Sequence, residues 1–499
     1  MDFRRVLFRR GVDSFSGEEF NVLVAGGRVV YRGKEEPSGD EVVDLEGGFI
    51  LPGFVDAHCH ILSQGLHLER LDLFLCQTRE EVLARLRDFA LSTQEEWIQA
   101  VNYDANRFSD GRDILAKEID QVVPHFPVVL RHVSGHSIVV NTEAFRRAGI
   151  TSSTPDPKGG RICRDESGNP TGVLEEEAVG LIYRCIPKPT RLRMEKAIEI
   201  AWKRMFSLGI TSAADMATGT YDLSHEFSAY RALADSGRGG RTVLYVLHEK
   251  ALNFGDGPCA YESGALWRVG GAKIFVDGAI GPGTAALRGT YEGGGSGYLI
   301  LERDALVQVM RDLEARGWRV ALHAIGDRAM DEVIEVLQTC EEPQRHRIEH
   351  AMILDEEQLV RLKELGCWVV MQPEFLLRFH GAYFRRLGEM ARRLKPFRSA
   401  LRIGVRVAFS SDAPIVSGDP WLGIATAVDR PSGFDPSENV SWEEAVMLYT
   451  KAAGEVVGLE VGGLSIGEWA DFQVYARSPR ESPSSLVRVF RGGEEVYSA

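Results

Sequence analysis

The sequence contains no run of roughly 18 consecutive apolar residues, which removes a membrane-spanning helix from consideration. Its first residues, MDFRRVLFRRGVDSFSG, break their apolar positions with arginine and aspartate, so no signal-peptide core forms there. Cysteine is scarce and scattered. The seven stand at 59, 76, 163, 185, 259, 340 and 367, an odd number without CxxC spacing, which argues against a disulfide framework and against a cysteine zinc site. A soluble protein of the reducing cytoplasm is expected. Runs of basic residues are also missing. With 58 Lys and Arg against 72 Asp and Glu, and a formal net charge of −14, the chain lacks the concentrated positive surface that nucleic acid requires. Proline is limited to 20 residues while glycine reaches 52, many of them directly after apolar runs of strand length, where turns and close backbone approach are needed. At 44% hydrophobic and 26% charged residues, the composition is that of a folded globular protein.

What is present is a long alternation of strand-like and helix-like segments. The 499 residues suffice for one large barrel with appendages or for two to three smaller domains. Eight apolar runs of strand length stand out: GFVDAHCHIL, GITSAADMA, RTVLYVLHE, GGAKIFVDG, WRVALHAIG, HRIEHAMIL, CWVVMQPE and VRVAFSSDAP. Most are followed by an amphipathic helical pattern, which fits an α/β fold of the (β/α)8 TIM-barrel type. Both ends read as short strands with turn dipeptides, such as NVLVAGGRVVYRG and SSLVRVFRGGEEVYSA, so residues 1–54 and 455–499 are expected to share one composite β-sandwich. The barrel then comprises 55–65 and 191–454. Residues 66–190 break the rhythm and are expected to be an inserted α+β subdomain over the barrel mouth.

Chemistry concentrates at the ends of the strand runs. In Asp56-Ala57-His58-Cys59-His60 the two-residue period of a strand points His58 and His60 the same way, half of a divalent metal site. His323 in VALHAIGD, His350 in RIEHAMIL and Asp412 in VAFSSDAP put further ligand types where a buried strand should be apolar. Each falls at the C-terminal end of its run, where a barrel gathers its catalytic groups. Lys273 in GGAKIFVDG is the fifth such oddity. A buried charged amine is costly, so it is either paired, most simply with Asp277, or converted by carbon dioxide to a carbamate that bridges two metals. Asp327 is read as a helix cap, and Glu175, Glu176 and Glu177 as the first turn of a helix.

These motifs resemble the amidohydrolase superfamily, and within it the YtcJ-like branch that includes N-substituted formamide deformylase. The likeness runs through LPGFVDAHCH, GGRICRDESGNPTGVLEEEA, KIFVDGAIGPGTAAL, LHAIGDRAMD, HRIEHA, MQPEF, SSDAPI and GGLSIGEWADFQV. It implies hydrolysis of an amide-type, non-peptide C–N bond in a small molecule. It also implies a two-metal site with two zinc ions per chain: His58, His60 and Asp412 on one ion, His323 and His350 on the other, and N6-carboxylated Lys273 between them. Such ions bring the pKa of bound water to about 7. Asp412 is the expected catalytic base and acid. Arg131, His136, Gln372 and Asp277 are the expected substrate-binding residues, His136 because it matches a histidine this branch holds near the active site. Two departures stand near substrate loops: Gly283 replaces an arginine, and Asn102-Tyr103-Asp104 replaces Gly-Trp-Asp. The partners expected are the small-molecule substrate and further copies of the chain in a homo-oligomer, with neither nucleic acid nor membrane. Two alternatives stay open, a one-metal deaminase using His58, His60, His323 and Asp412, and a barrel that has lost catalysis and serves regulation.

Overall fold

The computed structural model describes residues 4–93, 95–133, 137–254 and 266–499. The chain divides into two compact units, Met1–Gly65 with Thr190–Ala499, and Leu66–Pro189. Thr190 begins the return to the first unit by accepting a hydrogen bond from Arg193 N at the start of the helix Arg191–Phe206.

The larger unit is built on eight parallel strands in consecutive order: β1 (Phe54–Cys59), β2 (Ile210–Thr218), β3 (Arg241–Leu247), β4 (Trp267–Phe275), β5 (Val320–Ala324), β6 (Arg347–His350), β7 (Trp368–Met371) and β8 (Arg406–Phe409). These are the eight runs read from the sequence. The ladder is continuous from β1 to β8. At the seam between those two, Asp412 N donates to His58 O (2.7 Å) and His60 N to Ala413 O (2.8 Å). Short strands buried along their whole length, as in β1, β5, β6 and β7, explain why the pattern reads as continuous apolar runs. Residues near the strand starts, among them Val55, Val243, Ala321 and Trp368, form one apolar cluster with Ala453, Val456 and Val457. The helix Lys451–Val457 therefore packs with the barrel, and the boundary expected at 455 moves beyond it. With that end filled, the C-terminal strand ends are left for chemistry.

The two ends of the chain do meet. Phe472–Tyr475 pairs antiparallel with Phe49–Pro52, and the whole forms one mixed sheet of eight strands. The expected sandwich is thus a single hydrogen-bonded sheet folded over its own core of Phe8, Val22, Val24, Ile50, Phe472 and Phe490. The fold-over follows from Arg5–Asp13, which pairs antiparallel with Glu19–Ala25 and parallel with Glu41–Asp44 and Phe49–Pro52, and whose register shifts between Phe8 and Gly11.

The second unit carries a six-stranded sheet, ordered Gly160–Arg164, Pro170–Glu176, Ser137–Val140, Val128–His132, Ile98–Tyr103 and Leu71–Asp72. Two apolar clusters are assembled on it. Glu175 and Glu176 end a strand here, and Glu177 lies in the turn before the helix Val179–Tyr183, so the expected acidic first turn is corrected. Among the described residues no helix is long and apolar enough to cross a membrane.

Candidate metal centre

His58, His60, Lys273, His323, His350 and Asp412 come from five different strands or their C-terminal extensions, and all of them line one cavity of about 330 Å³. The rings form a continuous file, with centroids 5.5 Å apart for His58–His60, 4.9 Å for His58–His350 and 4.4 Å for His350–His323. One ligand atom each from His58, His60 and Asp412 lies within 4.8 Å of the others. Two of these candidate ligands are held in the left-handed backbone region, His350 at φ 73° and Asp412 at φ 66°. Non-glycine residues take that conformation mainly where the surrounding structure imposes it, often at functional sites.

What suits these residues to metal binding is the nitrogen that three of the rings, His58, His323 and His350, leave over. His58 Nδ1 donates to Glu349 Oε2 (2.6 Å), so Nε2 keeps its lone pair. Glu349 must be the acceptor. Burial works against its charge, but Arg347 and His58 outweigh burial and hold its pKa at about 2. His323 Nε2 donates to the Gly278 carbonyl (3.0 Å), which leaves Nδ1 buried and without a hydrogen-bond partner. His350 Nδ1 donates to Gln372 Oε1 (3.0 Å). The Gln372 amide is oriented by its own bonds, Nε2 donating to Ser410 Oγ (3.0 Å) while Oε1 also accepts from Lys395 Nζ (3.2 Å). An outer acceptor that fixes the tautomer and aims the other nitrogen inward is the arrangement metal-binding histidines use.

Asp412 and Lys273 complete the group. Asp412 Oδ1 is 2.9 Å from His60 Nε2 and 3.4 Å from His58 Nε2, yet it makes no aligned hydrogen bond. Burial would raise this carboxyl, but the imidazoles of His58 and His60 outweigh it and hold its pKa well below the usual carboxylate range. Burial and the charge on Lys273 push His323 down to about 3, and burial also carries His350 well below its ordinary value, so both are neutral bases. Lys273 Nζ is fully buried with no hydrogen-bond partner, and burial brings its pKa down to about 8. The alternative pairing with Asp277 is therefore not formed. Three unsatisfied buried atoms, Lys273 Nζ, His323 Nδ1 and Asp412 Oδ1, belong to side chains that line one cavity with the imidazoles of His58, His60 and His350. This donor set fits divalent ions bound by nitrogen and oxygen.

The remaining expected site residues divide. Asp277 is buried and accepts from Ala286 N (3.0 Å), Ile325 N (3.0 Å) and Gly326 N (2.8 Å), so it shapes the loops after β4 and β5 rather than meeting substrate. Gln372 is fully buried and spends its amide on His350, Lys395 and Ser410, which corrects its expected substrate contact to a supporting role. Arg131 is exposed on Val128–His132 of the second unit, and His136 lies outside the described residues. Asp327 opens the helix Asp327–Leu337, where Oδ1 accepts from Arg288 N and Arg328 N. In the Asn102-Tyr103-Asp104 departure, Tyr103 is a core residue whose hydroxyl accepts from Ile114 N (2.9 Å).

Sequence reading missed Glu349, Arg347 and Lys395. A signal existed for the first two: in RIEH, residues two apart share a strand face, and a buried Arg and Glu on one face must pair. Lys395 follows a loop and had none. A second trio, Glu314, Cys340 and His346, also brings donor atoms within 4.8 Å, at the N-terminal ends of β5 and β6.

A parallel barrel with a convergent nitrogen and oxygen ligand set at its C-terminal mouth defines a metal-dependent hydrolase. The profile of the amidohydrolase family matches residues 41–497, and the chain belongs to that family. It is 30% identical to YtcJ of Bacillus subtilis (strain 168), named as an amidohydrolase, over 88% of this chain and 86% of that one. It is 28% identical to the N-substituted formamide deformylase of Arthrobacter pascens, over 96% and 94%. Among solved structures, an uncharacterized metal-dependent hydrolase from Pyrococcus furiosus superposes with a TM-score of 0.80 at 28% identity, covering 95% of this chain and 99% of the other.

Proposed function

We propose that this hydrolase cleaves an amide-type, non-peptide C–N bond of a small molecule. The observation that carries the reading is the set of inward lone pairs: each of His58, His323 and His350 has its outer nitrogen committed to an acceptor, while Asp412 Oδ1 and Lys273 Nζ face the same space unsatisfied. In this reading His58, His60 and Asp412 would hold one zinc ion and His323 and His350 a second, and Lys273 as its carbamate would supply a further oxygen donor. Bound there, divalent ions supply water acidified toward neutral pH and a polarised substrate carbonyl. Asp412 takes the proton of the attacking water as the new C–O bond forms, then delivers it to the nitrogen as the C–N bond breaks, leaving acid and amine. Arg347 and Glu349 keep His58 in its Nδ1–H tautomer throughout.

A second reading has one observation in its favour. Within the cavity that holds the six candidate ligands, His58, His60 and Asp412 form a compact trio, as a single ion would require, and a one-metal deaminase would leave Lys273 an amine. Metal analysis separates the two. The first reading expects two ions per chain after reconstitution with zinc and bicarbonate, and a carbon-13 carbamate resonance from labelled bicarbonate that the Lys273→Ala variant lacks. One tight ion and no resonance would select the deaminase.

A further inference from the structure

We infer that the substrate presents a neutral aryl or branched alkyl group to this site, and that amides carrying a carboxylate or phosphate are rejected. The inference rests on the hydrolase reading above and sharpens its substrate class.

The same cavity that holds the ligand set continues into a wall that is almost entirely apolar. Phe275, Ile280, Ile325, Met352, Phe379 and Ile415 face it. Among the described residues lining it, every ionisable side chain other than the phenol of Tyr383 belongs to the ligand set, and none is an arginine. Gly283 presents no side chain to the neighbouring loop, and Arg386, whose guanidinium passes 3.9 Å from where a Cβ at Gly283 would stand, commits its Nε to the Gly281 carbonyl (2.8 Å). An anionic substituent entering this wall would shed its water and meet no cationic side chain among the described residues that line it outside the candidate ligands, an unfavourable exchange. An apolar ring or branched chain gains contact instead. The size agrees. A cavity of about 150 Å³ accommodates benzene, so about 330 Å³ takes one ring together with the amide that reaches the ligands.

Part of this wall is built by side chains that can be exchanged without disturbing the core. Ile415 is 51% exposed, at the rim. Phe379 is half-buried, stacked edge-on to Phe375 at 5.3 Å and tilted against Tyr383 at 5.9 Å. A cation introduced at either position would supply the partner the wall lacks.

The test uses the full-length, zinc-reconstituted protein and a matched pair of amides, N-formylphenethylamine and N-formylphenylalanine, which differ only in the carboxylate. The expected result is a kcat/KM at least about 100-fold higher for the neutral amide. The Ile415→Arg variant should raise the value for the acid by about 10-fold or more, and Phe379→Lys is the second variant should the first misfold. Equal or faster hydrolysis of the acid by the unmodified protein overturns the substrate class and leaves the hydrolase reading standing. If neither amide is hydrolysed, calorimetric titration of both decides. Tighter binding of the neutral amide keeps the apolar site while the hydrolytic reading falls, whereas tighter binding of the acid, equal binding, or no binding of either at millimolar concentration overturns the inference.

Discussion

The two ends of β5 and β6 carry the same kinds of residue and do opposite things with them. At the C-terminal ends, His323 and His350 turn one nitrogen to a carbonyl or amide and leave the other unused. At the N-terminal ends, His346 accepts from Val320 N through Nδ1 (3.1 Å) and meets Glu314 Oε1 through Nε2 (3.0 Å), so both nitrogens are spent. The two fully buried lysines repeat the contrast. Lys395 donates to His350 O (3.1 Å) and Gln372 Oε1 (3.2 Å), whereas Lys273 has no hydrogen bond. Residue type and burial do not distinguish a site from a strut. Unspent valence does.

The contrast is broken most severely through Asp412. Asp412→Asn keeps one oxygen toward the ligands but cannot carry a proton, so turnover should fall by about 10²–10⁴-fold while zinc content measured by mass spectrometry stays near that of the parent. Undiminished turnover would remove Asp412 from proton transfer. Lys273→Met comes next. At least one ion per chain and nearly all activity should be lost, yet the metal-free protein should melt no lower than its parent, because a buried amine that makes no hydrogen bond is exchanged for an apolar chain. A lower melting temperature would mean that the amine has a structural partner after all. Glu349→Gln weakens the acceptor that fixes His58 and should cost about 10–100-fold in zinc affinity, read by competition with a chelating dye. Unchanged affinity would make the Glu349–His58 contact incidental.

How much of this could be read from the sequence follows from the same distinction. The eight strands were legible because a parallel strand covered on both faces is an apolar run, and a polar residue at its end is conspicuous against that background. His58, His60, Lys273, His323, His350 and Asp412 all announced themselves in this way, and all six line one cavity. Whether a polar side chain is spent was not legible. Gln372 and Asp277 sit at strand ends like the ligands, but their partners, Lys395, Ser410 and the backbone of Ala286, Ile325 and Gly326, lie in other segments and no spacing rule joins them. That both chain ends build one β-module was legible from their strand and turn patterns, whereas the pairing of Phe472 with Pro52 that makes it a single sheet was not, since no spacing rule joins residues across most of the sequence.

The smallest expected effect probes the strut end of the comparison. Cys340 closes the Glu314–His346 trio, and burial followed by the Glu314 carboxylate pushes its thiol up to about 12, so at neutral pH it is a protonated thiol beside an acceptor. Such a thiol is a small hydrophobe with a weak donor. Cys340→Ala should therefore lower stability by only about 1 kcal/mol, seen as a shift of a few degrees in melting temperature, and leave kcat, KM and zinc stoichiometry as they were. If removing this thiol lowered zinc content by one ion per chain, the trio would be a third metal site, and spent valence would no longer separate the two ends of the barrel.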